Sequence, residues 1–311
     1  MDGSVIGINA GGTRTVCLRA DSAGRVVREW RGTGANLQSE GDVGIERVLR
    51  DAIGAVMDAA TSPAAICVGM AGVDRADDFA AVRAVLTRIA PDARLVIVND
   101  ALIALEAGAP GAAGSVLIAG TGSIAYGRDD AGRAARAGGW GYVLGDEGSG
   151  YWLGRQALRA VVRGADGRGP RTALAPLVLE HYGLGSPREL VRQMSGHGAR
   201  PASVAGLAPL VGTAADDGDP VALQLVAAAA RELAAAAESV IRRLGLNTSP
   251  MLLTGGVLSG FHRLRHEVMT EIRKRLPGIE PTPLQAEPAI GAVRLASKAV
   301  TGELRLPRYE D

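Results

Sequence analysis

Two short runs of residues suited to holding a phosphate stand 108 positions apart. Gly12-Thr13 leads into a strand that turns at Asp21-Ser22-Ala23-Gly24-Arg25, and Gly120-Thr121 leads into one that turns at Asp129-Asp130-Ala131-Gly132-Arg133. Of the fourteen ungapped positions from Gly12 to Arg25, six are identical in the two copies. A glycine loop between strands presents backbone N–H groups and a hydroxyl with no bulky side chain in the way, as an anionic phosphate requires. A single loop of this kind is as readily a tight hairpin. The second copy turns the reading toward a pair of phosphate loops, Gly11, Gly12 and Thr13 in one and Gly120, Thr121, Gly122 and Ser123 in the other. A Walker loop is excluded, because no Gly-Lys-Ser/Thr occurs and the two lysines, Lys274 and Lys298, fall in helical segments. Backbone, hydroxyls and metal are expected to hold the phosphates.

Asp100 is the carboxylate to single out. It follows the strand Arg94 to Asn99 and opens a helix, the place where open α/β sheets hold ligands, and it is the candidate base. Its alternative use is as a helix N-cap, worth about 1 kcal/mol. The stretch from Gly138 to Trp152, GGWGYVLGDEGSGYW, sets aromatic side chains among glycines beside a carboxylate. An aromatic face can pack on sugar C–H groups while an acid accepts hydroxyl hydrogen bonds, so Trp140 and Asp146 form a candidate carbohydrate surface. The alternative is a loop packed by its own aromatics, with Asp146 or Ser149 capping the next helix. His262 and His266 share a helical spacing but lack the acid of a zinc motif, which reads as a solvated helix face.

These residues need a frame. Strands are expected at Val5 to Ala10, Thr15 to Asp21 and Arg25 to Arg31, then helix 42 to 60, strand 65 to 69, helix 74 to 89 and strand 94 to 99. The second copy begins at Ser115 to Ala119 and is followed by helices at 151–162, 174–181, 187–194, 204–214 and 220–244. The sheet then resumes at Met251 to Thr254 and runs into Gly255-Gly256, a helix from 261 to 276 and a terminal helix from 289 to 300. The expected fold is α/β: two ribonuclease H-like lobes of the actin-like ATPase kind, with a nucleotide and sugar cleft between them. The expected domains are 1–113 plus 288–311, and 114–287 with a helical insert.

Composition narrows the partners. The 311 residues are 47% hydrophobic and carry 34 basic against 33 acidic side chains, with no basic run beyond Arg273-Lys274-Arg275. Nucleic acid is therefore not an expected partner. Cys17 and Cys67 are too few for a disulfide framework and, with no secretory signal visible, point to a cytoplasmic protein. The alanine-rich stretch from Leu223 to Ile241 is interrupted by Arg231, Glu232 and Glu238, which argues for an amphipathic helix and against a membrane span. Its alanine face suits close packing within a lobe or across a homodimer.

The motifs N-A-G-G-T-R-T at residues 9–15, G-T-G-S at 120–123, and above all G-G-W-G at 138–141 followed by G-D-E-G-S at 145–149, resemble the N-acetylglucosamine kinase branch of the BadF/BadG/BcrA/BcrD ATPase family. The resemblance runs from Val5 to about Ala299. It implies Thr13 and Thr121 at the phosphates of ATP, Asp100 as catalytic base, and Asn36, Asp100, Gly139, Trp140 and Asp146 at the sugar. Gly218, Gly255 and Gly256 would line the adenosine side. ATP with Mg2+ is the implied cofactor pair, and the sequence assigns no ligand set to the metal. Two departures stand out: Asn9 occupies a position where that family usually has an acid, and Ile124 replaces the asparagine of the animal kinases. The reading is phosphorylation of an amino sugar hydroxyl, expected at the 6-hydroxyl of N-acetylglucosamine or glucosamine. Its alternatives are an ATPase coupled to a partner protein and a sugar-binding regulator without turnover.

Overall fold

The computed structural model describes residues 3–35, 37–58, 62–73, 75–195 and 199–309. The first half is β1 (Val5–Ala10), β2 (Arg14–Ala20), β3 (Val26–Thr33), α1 (Leu37–Val56), β4 (Ala65–Met70), α2 (Ala76–Ile89), β5 (Arg94–Asn99) and α3 (Asp100–Gly108). The second begins with β6 (Gly114–Ala119), β7 (Ser123–Arg128) and β8 (Arg133–Gly138). It continues through α4 (Gly150–Ala165), α5 (Leu174–Tyr182), α6 (Leu190–Met194), α7 (Pro201–Ala205), α8 (Ala208–Asp216) and α9 (Pro220–Leu244). Next come β9 (Met251–Thr254), α10 (Gly256–Gly260), α11 (His262–Arg275), β10 (Pro281–Pro283), α12 (Pro288–Thr301) and β11 (Arg308–Tyr309). The single helix expected over 204–214 is two, α7 and α8, broken at Gly206 and Leu207.

The sheets repeat one plan, β3-β2-β1-β4-β5 and β8-β7-β6-β9-β10, each an antiparallel meander extended by two parallel strands. The repeated sequence has a physical cause in the turns. Asp21 accepts from the amides of Ala23 and Arg25, and Gly24 turns at φ 80°; Asp129 accepts from the amide of Arg133, and Gly132 turns at φ 75°. Between the paired strand ends, the first glycine loop spans Gly11 to Arg14 and the second only Gly120 to Gly122.

Three cores follow from the alternation of side chains along the strands. Ile6, Ile8, Cys17, Ile66, Val68 and Ile97 face α1 and α2. Val5, Val16, Cys67, Val96 and Val98 face the opposite way, onto α3 and α12, and that core continues into Val116, Tyr126, Ala134 and Leu252 of the second sheet. The third core holds the helical insert on the far face of the second sheet. Within it α9, long and apolar enough by length and composition to cross a membrane, buries ten residues, including Ala229, Leu233 and Ala237. Its alanine face is spent inside this chain.

A buried ionic cluster ties the helix pair to the second sheet. Glu106 of α3, fully buried, meets Arg128 of β7 at 3.0 Å, and also bonds Lys298 of α12 and the Gly111 amide. Burial pushes the Glu106 carboxyl up, but these three partners together hold it below the usual range. The division of the chain expected from the sequence needs one correction at its end. α12 packs on α3, β1 and β4, but β11 leaves that half and pairs with β8, the exposed edge of the second sheet. Open backbone groups on an edge strand favour that pairing.

Candidate active site

Both glycine loops open onto one cleft of about 900 Å3 between the sheets. Gly11, Gly12, Thr13, Asp100, Gly120, Thr121, Gly122, Ser123, Gly139, Asp146, Gly255 and Gly256 all line it. A second cavity of about 480 Å3 shares Thr13, Gly120, Thr121 and Gly256 with the first and runs on between α8 and Phe261.

Asp100 is the first residue of α3, and it is not the cap. Asn99 takes that role, its carboxamide oxygen accepting from the Leu102 amide at 3.0 Å. Asp100 lines the cleft from the positive end of the helix between the two sheets.

Asp146 lies beneath the second loop. It is 8% exposed and has φ 61°, the one non-glycine residue with positive φ among those described. Such backbone strain persists where the surroundings enforce it, commonly at functional sites. The Ser123 amide donates to Asp146 Oδ1 at 3.3 Å, and a Cβ on Gly122 would come within 2.8 Å of Oδ2, so the glycine gives the carboxylate its space. Burial pushes the Asp146 carboxyl up to about 6, against the pull of the Ser123 amide. The cap of α4 is Ser149, accepting from the Trp152 amide, which leaves the Asp146 carboxylate to the cleft side.

Two expected site residues are not brought to either cavity. Trp140 stands 65% exposed under the Arg136 guanidinium, 5.2 Å from its ring centre, and the aromatic that lines the cleft is Tyr142, tilted against Tyr151. Gly138, Gly139 and Gly141 all have positive φ around Trp140, and Tyr142, itself partly exposed, is the ring that lines the cleft. Gly218, at φ 85°, is the turn between α8 and α9, next to the α9 cap Asp219; the cavity wall there is Gly212, Thr213 and Asp216. Asn36 lies outside the described residues. Gly255, at φ 100°, presses on β6 so closely that a Cβ would lie 2.3 Å from the Ala119 carbonyl oxygen.

Sequence reasoning missed several lining residues. Asn99, Arg14 and Arg200 face the cleft, and Phe261 and His262 face the second cavity. Arg14 follows Thr13 directly and Arg200 precedes the Pro201 that opens α7, so chain position held the signal. The two arginines add side-chain cations to a cleft for which backbone, hydroxyls and metal were expected. His262 is exposed, as a solvated helix face requires, and its Nδ1 lies 2.7 Å from Arg265 where it lines the second cavity.

Among the described residues no cluster of three acids, histidines or cysteines could hold a metal by itself. Asn9 and Asp100 both line the cleft, and their side-chain oxygens are donors of the kind that fits Mg2+, which takes one or two protein oxygens and completes its shell with water and phosphate. The Asn9 amide nitrogen donates to Glu287 Oε1 at 3.3 Å, which orients its oxygen away from that acid.

Comparison with known proteins places this geometry. An N-acetylmuramic acid/N-acetylglucosamine kinase from Clostridium acetobutylicum is 33% identical over 298 residues, covering 94% of this chain and 97% of that one. An N-acetyl-D-glucosamine kinase from Dictyostelium discoideum is 32% identical over 308 residues, with the same coverage of 94% and 97%. The crystal structure of a candidate N-acetylglucosamine kinase from Chromobacterium violaceum superposes with a TM-score of 0.75 at 28% identity, over 94% of this chain and 98% of its own. The model of the BadF/BadG/BcrA/BcrD ATPase family matches residues 6–296, and the chain belongs to that family.

Proposed function

We propose that this protein is an ATP-dependent kinase of an amino sugar, transferring the γ-phosphoryl group to the 6-hydroxyl of N-acetylglucosamine or glucosamine. The observation that carries the reading is the convergence of two glycine loops and two carboxylates, Asp100 and Asp146, on one cleft. The loop amides, Thr13 and Thr121 receive the phosphates, and Arg14 and Arg200 neutralise charge on them. The second cavity, shared at Thr13 and Gly256 and walled by Phe261, has the size and apolar wall for the adenosine.

Asp146 and the Gly139 backbone orient the sugar, with Tyr142 as the aromatic wall. Asp100 holds the acceptor hydroxyl and takes its proton as the oxygen bonds to phosphorus and ADP leaves. Mg2+, bound through Asn9, Asp100 and the phosphates, would supply charge neutralisation of the triphosphate. Approach of the two sheets over the cleft keeps water from competing as acceptor.

The partner-coupled ATPase of the iron–sulfur kind needs accessible thiolates. Cys17 and Cys67 are fully buried in β2 and β4, and burial pushes Cys17 up to about 12 and Cys67 up further. Reduced thiols of this kind suit a cytoplasmic location. The deciding experiment is ADP release with Mg-ATP against glucosamine, N-acetylglucosamine, N-acetylmuramic acid, glucose and no sugar, with Asp100→Asn in parallel. Sugar-dependent turnover lost in the variant supports the kinase. Hydrolysis indifferent to sugar would overturn it.

A further inference from the structure

The segment after α12 crosses from one half of the molecule to the other and ends beside the proposed base. Arg308 and Tyr309 add to the edge of the second sheet, pairing with Arg133 and Ala134, and the Arg308 amide donates to the Gly132 carbonyl at 2.9 Å. The Tyr309 ring meets Tyr126 edge-on, with ring centres 6.2 Å apart, and Tyr126 belongs to the core shared by the two sheets. From there its hydroxyl accepts a hydrogen bond from Asn99 Nδ2 at 3.3 Å.

Asn99 is 6% exposed, and its two ends do different work. The oxygen caps the Leu102 amide and so fixes the first turn of α3; the nitrogen bonds a side chain carried by the other sheet. A buried carboxamide with both ends engaged is held in one orientation. Asp100 is the next residue, and its direction into the cleft follows that of the first helical turn.

We propose that Tyr309 is a positioning residue for phosphoryl transfer: through Asn99 it sets the first turn of α3, and with it Asp100, by reference to the second sheet. The strand β11 makes this reference move with the second sheet, so the base is aligned by the relative placement of the two halves rather than by the first half alone. The inference rests on the kinase reading above.

The test compares wild type, Tyr309→Phe, Asn99→Ala and the double variant, each full length. Phenylalanine keeps the ring on Tyr126 and removes only the hydroxyl. Expected is a fall in kcat of about fivefold for Tyr309→Phe, the factor that one net hydrogen bond is worth, with KM for ATP unchanged. No further fall is expected when Tyr309→Phe is added to Asn99→Ala. Wild-type kcat in Tyr309→Phe, or the same fivefold loss in the Asn99→Ala background, overturns the inference. Amide hydrogen exchange needs no turnover and separates the two proposals. Faster exchange at residues 101–105 in Tyr309→Phe supports the link even if no sugar is phosphorylated, and unchanged exchange refutes it even if the kinase reading stands.

Discussion

Beneath the first glycine loop lies backbone; beneath the second lies a carboxylate. A Cβ on Gly34 would come within 2.5 Å of the Gly12 carbonyl oxygen, and the Ala35 amide donates to the Gly11 carbonyl, so the first loop is propped by main chain. The second loop rests on Asp146, whose carboxylate receives the Ser123 amide. The same division recurs at the helix pair between the sheets. α3 and α12 follow the last parallel strand of their respective sheets; α3 opens with Asp100 at the cleft, while α12 is preceded by Glu287, bound to Asn9 and Arg31. Duplicated strands thus supply a symmetric clamp, and acids placed unequally on it separate the proposed base from the proposed sugar ligand.

The largest test of that inequality exchanges the two helix-start acids for amides. Asp100→Asn is expected to lower kcat by roughly 10²- to 10⁴-fold, the usual worth of a general base, whereas Glu287→Gln, which keeps an acceptor for Asn9, stays within about tenfold. Steady-state kinetics with the best sugar decides, and equal losses would dissolve the distinction.

Next in size is Gly255, the point where the second half brings backbone onto its own loop. Gly255→Ala meets both an unfavourable φ and the Ala119 carbonyl, and a loss on the order of 3 kcal/mol is expected in denaturant melts. An alanine variant as stable as wild type would show that this contact is loose.

Asp146 gives a pH signature that the first loop lacks. Its carboxyl is lifted to about 6 from 3.8, so between these values the folded chain holds a proton that the unfolded chain has released. Stability from this group is therefore lost as pH rises from about 4 to about 6, and it does not return above that. Against wild type, Asp146→Asn should gain roughly 2–3 kcal/mol between pH 4 and pH 7. A parallel pair of stability curves would place the acid in a more polar setting.

The smallest effect concerns the repeated turns. Asp129 is buried and Asp21 half-buried, though their backbone hydrogen bonds match. Asp129→Ala should cost about 1 kcal/mol and lower the melting temperature more than Asp21→Ala does. Reversal of that order would mean that burial does not distinguish the copies.

What the sequence by itself determined is what local rules govern. The Asp-x-x-Gly-Arg turns, the glycine loops and the alternating strands are each decided within a few residues, by hydrogen bonds of Asp to its own backbone and by the conformational freedom of glycine. Repetition of these units at one offset made the two-sheet plan and the loops at Thr13 and Thr121 legible, while Asp100 was read from its place between strand and helix and Asp146 from its glycine-aromatic stretch. Tertiary structure decided the rest. In a turn with three glycines at positive φ, Tyr142 lines the cleft and Trp140 does not, a placement that residue type does not encode. Gly218 is a turn because α8 and α9 pack side by side, and Asn99 displaces Asp100 as cap because the helix starts one residue earlier than an Asp100 cap would require. The bond from Tyr309 to Asn99 joins residues 210 positions apart. No local propensity reaches that far; only the closing of both sheets around α3 and α12 brings them together.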